Sequence, residues 1–148
     1  SVAWIQSELS PPFQAFPVSE EPRIDRPDDF YDLIWATSVF THLTEASHLR
    51  WLHELRRVLK PDGTLLVSIY GENVVALLGA DLQASLRANG IAYLQDGGTP
   101  GLPEGYQTCF HTRQYVEDTW SRYFDVVDYV EQAFVESQDA VVLRHKPG

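Results

Sequence analysis

Residues 31–37 (YDLIWAT), followed by residues 38–43 (SVFTHL), decide how this sequence is read. The first stretch is short, rich in β-favouring apolar and aromatic residues, and preceded by polar Asp28 and Asp29, so it predicts a strand buried on both faces. The second breaks that pattern and leads to Thr44, a good N-cap, with Glu45 in the first turn, where the helix dipole favours an anion. Leu49, Leu52, Leu55 and Leu59 recur at steps of three and four and form one apolar stripe, while Arg56, Arg57 and Lys60 fall in the last turn, where cations are favoured. Pro61 then stops the helix and Asp62-Gly63 supplies a turn. Residues 64–70 (TLLVSIY) are again nearly continuous apolar sequence, as a central strand of a parallel sheet requires. Strand, crossover helix and strand form one right-handed unit. Ligands of such sheets gather at the carboxyl ends of the strands, here residues 37–43 and 70–73.

These residues resemble the second half of a class I S-adenosylmethionine-dependent methyltransferase. The likeness is carried by Asp32-Leu33-Ile34, by Ser38-Val39-Phe40-Thr41-His42-Leu43, and by Arg57-Val58-Leu59-Lys60-Pro61, with Asp62 where the family has its first glycine. It implies an α/β fold: a partial doubly wound, Rossmann-like sheet of parallel strands closed by a C-terminal antiparallel hairpin. The family carries a Gly-rich turn after its first strand and an acidic residue after its second. No such turn precedes residue 30, and the sequence starts at Ser1 and contains no methionine. The expectation is therefore a single truncated domain that begins just past the acidic position. Within the resemblance, residues 2–9 would be the tail of a helix and residues 13–18 the family's third strand.

Composition agrees with one domain. With 148 residues, 44% of them hydrophobic, and four tryptophans, the chain can bury a real core. A formal net charge of -10 argues against nucleic acid or an anionic membrane as partner, since both need a basic patch. One cysteine, Cys109, leaves no intrachain disulfide, and no membrane-length apolar run appears, so a cytoplasmic location is expected.

Along the chain, residues 1–29 read as an irregular segment interrupted by proline at three places, and residues 30–71 as the strand–helix–strand core. In residues 72–111, Asn73 caps a helix whose Val74, Leu78, Leu82 and Leu86 recur every four residues. That helix ends at Asn89-Gly90 and is followed by a lid-like Gly/Pro-rich insertion at residues 96–105. In residues 112–148, Thr112 caps a helix that turns Tyr115, Val116, Trp120 and Tyr123 toward the core. Residues 125–135 and 140–145 then form a hairpin across the polar turn at residues 136–139. The Phe-His-Thr run, the Trp-x-x-x-Phe helix end and Gln138-Asp139 before the last strand resemble one bacterial branch of the superfamily.

The resemblance implies S-adenosylmethionine as cofactor, lined by Ala36, Thr37, Ser38 and Val39, with His42 at the mouth of the site. His42 and His111 are the acid–base candidates. Tyr70, Tyr106, Phe110 and His111 are the acceptor-side candidates. Ser38 could instead satisfy loop backbone groups, Val39 and Phe40 could pack the helix, and His42 could fix the loop by a hydrogen bond. His48 and His53 are five apart on the crossover helix and are read as surface residues, so no metal is expected. The acceptor is read as a small molecule or glycan precursor. A non-catalytic partner that keeps this half of the fold is the alternative. Self-association through the exposed edge of residues 31–37, or a need for the front half in trans, follows from the truncation.

Overall fold

The computed structural model describes residues 22–95, 107–134 and 137–146. Its elements run β1 (Tyr31–Ala36), α1 (Glu45–Val58), β2 (Leu59–Ile69), α2 (Glu72–Val75), α3 (Ala80–Asn89), β3 (Ile91–Gln95), β4 (Gln107–His111), α4 (Arg113–Trp120), β5 (Phe124–Val130) and β6 (Asp139–His145). The main sheet has the order β1-β2-β6-β5, and β3 and β4 form a separate antiparallel pair. β1 and β2 are parallel, with Ala36 beside Val67, while β6 runs antiparallel between β2 and β5. Parallel strands joined through α1 and closed by a terminal antiparallel hairpin are the expected α/β arrangement. The expected segments at residues 2–9, 13–18 and 96–105, and Tyr106, lie outside the described residues.

α1 starts as its sequence dictates: the Thr44 hydroxyl accepts from the Ser47 amide at 3.2 Å. It ends at Val58, before Lys60 and Pro61. Leu59 is already extended, and Leu59–Ile69 is one long strand in which Tyr31 pairs with Leu59 but Leu33 with Thr64. The residue before a proline avoids the helical region, so the helix stops short of Lys60. Lys60 instead reaches Asp32 on β1 at 2.7 Å. The last carbonyls of α1 are taken up by the approach to β1, with the Asp29 amide on Arg57 O and the Phe30 amide on Val58 O. Arg57 fastens the same segment with its whole fork, donating to Glu54, to Asp28, and to the Ile24 and Arg26 carbonyls.

Three expectations need correction here. β1 is not buried on both faces: Leu33 and Trp35 are 61% and 63% exposed, because β1 is the outermost described strand and pairs only with β2. The single helix expected from Asn73 is two helices, α2 capped at Gly71 and α3 capped at Gly79. Glycine weakens a helix interior, and the chain breaks there. The predicted stop holds, with Gly90 at φ +74, a backbone conformation that suits glycine. Third, His48 is fully buried, while His53 is exposed as expected. The inward face of α1 runs through His48, Trp51, Leu52, Leu55 and Val58, so it takes in His48 and leaves Leu49 only half-buried. β3 is an addition that the sequence reading did not anticipate.

The core lies between the main sheet and α1 and α4. Leu52, Val58, Leu65, Val67, Trp120 and Phe124 are wholly buried in it. Val75, Leu86, Ala92 and Phe110 form a second, smaller cluster under α2 and α3.

Candidate active-site loop at the strand ends

Because β1 and β2 are parallel, their carboxyl ends lie side by side, and the loop of residues 37–43 leaves from that edge. Ala36 is buried in the core, Thr37 and Ser38 are exposed, Val39 is half-buried against the core, and Phe40 is sealed inside. The reversal between the outward Ser38 and the inward Phe40 is made by Ser38 itself, at φ +54. A left-handed conformation in a non-glycine residue costs about 1–2 kcal/mol and persists only where neighbours enforce it.

The neighbours are Ser68 and Gln138. The Ser38 amide donates to Ser68 Oγ at 2.8 Å, and Ser68 Oγ donates to Gln138 Oε1 at 2.5 Å. Gln138 Nε2 returns to Ser38 Oγ at 3.0 Å and closes the ring. Ser68 and Gln138 are both buried, so this is an interior network with its groups matched, holding one exposed residue. Sequence reasoning did not name them as site residues. The signals were a serine inside an otherwise apolar strand and a Gln-Asp pair before the last one.

At the end of β2, Gly71 gives Asp139 room: a Cβ there would stand 1.8 Å from Asp139 Oδ2. Asp139 accepts from the Tyr129 hydroxyl at 2.7 Å and from the Gln132 amide at 2.8 Å. Burial, together with that carboxylate, raises the Tyr129 phenol well above its usual range, so it stays a donor.

The β3–β4 pair is fastened across the loop. The Cys109 amide donates to Thr41 O at 2.7 Å, the His111 amide to Tyr70 O at 2.9 Å, and His42 Nδ1 to the Gln107 carbonyl at 3.1 Å. A carbonyl only accepts, so Nδ1 of His42 carries a proton. Tyr70 is half-buried and packs on Phe110, with ring centroids 5.7 Å apart.

Phe110 and His111 separate, because neighbours on a strand point to opposite faces. Phe110 joins the cluster under α2 and α3, and His111 turns inward, completely buried, toward His48. Burial, with His48 beside it, keeps His111 neutral far below the usual histidine range. Of the predicted residues, Ala36 ends β1 and Thr37, Ser38, Val39 and His42 follow on its loop, Tyr70 packs with Phe110, and His111 lies in the interior.

Residues 9–67 match a family described as a methyltransferase domain. A solved protein from Pyrococcus horikoshii shares the fold at TM-score 0.57 and 13% identity, over 84% of this chain and 56% of its own. The 1,6-didemethyltoxoflavin-N1-methyltransferase of Burkholderia thailandensis, solved with 1,6-didemethyltoxoflavin and S-adenosylhomocysteine bound, does so at 0.61 and 10%, over 82% and 47%. A methyltransferase from Methanosarcina mazei described as dependent on S-adenosylmethionine does so at 0.58 and 14%, over 84% and 64%. No curated protein matches the sequence. The chain thus shares the fold of these solved structures and, over residues 9–67, is similar to the methyltransferase-domain family. The chain spans between about half and two thirds of the length of these three solved structures.

Proposed function

We propose that this chain forms part of a methyltransferase that binds S-adenosylmethionine and transfers its methyl group to a small-molecule or glycan-precursor acceptor, and that it is not competent alone. The observation that carries this reading is the pinned Ser38. An exposed residue is held in a strained conformation, at the carboxyl end of two parallel strands, by a buried network 30 and 100 residues away in sequence. S-adenosylmethionine, when bound, supplies an electrophilic methyl group on a sulfonium. What remains for the protein is mostly positioning and exclusion of water. Residues 36–39 would line the cofactor and His42 would stand at the mouth as an acid–base candidate. Tyr70, Phe110 and the β3–β4 pair would form the acceptor side, with Tyr106 in the segment that joins that pair.

The net charge of -10 supports a small acceptor over nucleic acid, and no helix among the described residues is long and apolar enough to cross a membrane. The exposed Leu33 and Trp35 on β1 support self-association, or a front half in trans, along that edge. Light scattering showing a monomer at working concentration would count against self-association.

The deciding experiment is calorimetric titration with S-adenosylhomocysteine, on the protein and on its Ser38→Ala and His42→Ala variants. Micromolar binding that weakens at least about tenfold in Ser38→Ala supports the loop as cofactor site. Affinity and turnover unchanged in both variants would remove it. Absence of any binding would favour the second reading, a non-catalytic partner. That reading has one observation of its own, since the buried His111 takes one acid–base candidate away from the surface.

A further inference from the structure

Where the loop's Phe40 and Thr41 carbonyls are bound, three side chains with metal-binding atoms meet in the interior. His48 comes from the inward face of α1. Cys109 and His111 are two apart on β4, which puts them on one face of the strand. All three are 0% exposed, and Nδ1 or Nε2 of each histidine and Sγ of the cysteine lie within 4.8 Å of one another. His111 Nε2 is 3.4 Å from His48 Nδ1 and 3.7 Å from Cys109 Sγ.

Those separations have a meaning. In a tetrahedral zinc site with Zn–N near 2.05 Å and Zn–S near 2.3 Å, the N···N edge is about 3.4 Å and the N···S edge about 3.6 Å. The orienting contact is also in place. His48 Nε2 donates to the Phe40 carbonyl at 2.7 Å, which leaves Nδ1 as the lone-pair nitrogen turned toward the cluster. A backbone carbonyl on the far nitrogen is the usual outer partner of a metal-bound imidazole.

We propose that His48, Cys109 and His111 bind one zinc ion, which fastens β4 to α1 beneath the loop of residues 37–43. Two imidazoles and a thiolate suit zinc over magnesium or calcium, which prefer oxygen. Tyr93 pairs directly with Cys109 across β3–β4 and its hydroxyl bonds the Cys109 thiol, while the Thr41 hydroxyl is buried without a hydrogen-bond partner among the described residues, so an oxygen donor is at hand for the fourth corner.

With its Nε2 proton on the Phe40 carbonyl, His48 offers its Nδ1 lone pair, and Cys109, fully buried, brings its thiol proton to the site. Zinc takes the thiolate and releases that one proton. Glu45, in the first turn of α1, is a nearby carboxylate and accepts from Tyr115 at 2.6 Å. The proposal needs no cofactor site and stands whether or not the chain binds S-adenosylhomocysteine.

The test is titration of metal-free protein with cobalt(II), the spectroscopic stand-in for zinc, together with the zinc content of the protein as purified. The expected result is one equivalent bound, with tetrahedral d–d bands and a thiolate-to-cobalt charge-transfer band. Cys109→Ser, nearly isosteric, should remove the charge-transfer band, and His111→Gln should weaken retention at least about tenfold. The chain has one cysteine, so the band in the wild-type protein assigns Cys109 even if a variant fails to fold. Folded wild-type protein that holds no zinc, or that binds cobalt without the thiolate band, overturns the proposal.

Discussion

Two polar clusters flank the loop of residues 37–43, and they are built on opposite terms. On one side Ser38, Ser68 and Gln138 close a ring in which each named donor meets an acceptor. On the other, His48, Cys109 and His111 meet at long distances, and among the described residues His111 Nδ1 and Thr41 Oγ1 find no partner. Interior polar groups are normally paired, because an unpaired one costs about 1–3 kcal/mol. The matched ring therefore reads as a device that fixes backbone. The unmatched cluster reads as one that awaits a further group. The contrast makes a simple demand on mutants: deleting a polar atom should destabilise on the first side and leave stability unchanged or improved on the second.

The largest expected effect lies in a charged network of the matched kind. Glu54 is buried and is met by Arg57, which also holds Asp28 and two carbonyls before β1. Arg57→Ala leaves that carboxylate buried without its cation, and a loss of about 3 kcal/mol by urea denaturation is expected. The pair also predicts an acid limb. Hydrogen bonding to Arg57 holds the Glu54 carboxyl below its ordinary 4.5. The contribution is complete above that value and is lost as pH falls through the lowered one. Below about pH 4.5, wild-type stability should fall more steeply than that of Arg57→Ala. Parallel acid limbs in the two proteins would show that the fork contributes no linkage.

Next comes Ser68→Ala, which leaves the Ser38 amide and Gln138 Oε1 unmatched at once. A loss of about 2 kcal/mol is expected, with weaker S-adenosylhomocysteine binding if the loop is the cofactor site. An unchanged melting temperature would mean that water replaces the hydroxyl and the ring is not what holds Ser38.

How much of this was legible in the sequence follows from distance along the chain. β1, α1 and β2 were readable because caps, stripe and apolar runs are local, and Thr44 and Thr112 cap as their spacing required. The ring was not, since its partners are 30, 70 and 100 residues apart. A lone serine in an apolar strand does not say what it will meet. His48 was misread for a related reason. A histidine on a helix looks like a surface residue until a carbonyl eight residues upstream is seen to satisfy it. For β1, the apolar run gave strand type correctly, but burial depends on neighbours, and the described fold supplies only β2.

A smaller effect of opposite sign tests the second cluster. Thr41 is fully buried with its hydroxyl unpaired among the described residues. Thr41→Val keeps the shape and removes the unpaired atom, so metal-free protein should gain about 1 kcal/mol in thermal or urea unfolding. A loss instead would reveal a partner for that hydroxyl, and the clusters would no longer differ in kind.

The smallest difference separates two changes at one position. Ser38→Ala and Ser38→Gly both remove the oxygen that Gln138 Nε2 reaches, so both lose that bond. They part over the backbone: alanine must hold φ near +54 against its own Cβ, whereas glycine adopts it freely. Ser38→Gly should therefore be the more stable variant by about 1 kcal/mol, near the wild-type value. Equal stabilities would mean that the loop relaxes out of the left-handed conformation once the ring is cut. If instead the two differ in stability but lose S-adenosylhomocysteine affinity alike, the hydroxyl and its pinning by Gln138, not the backbone angle, is what the ligand requires.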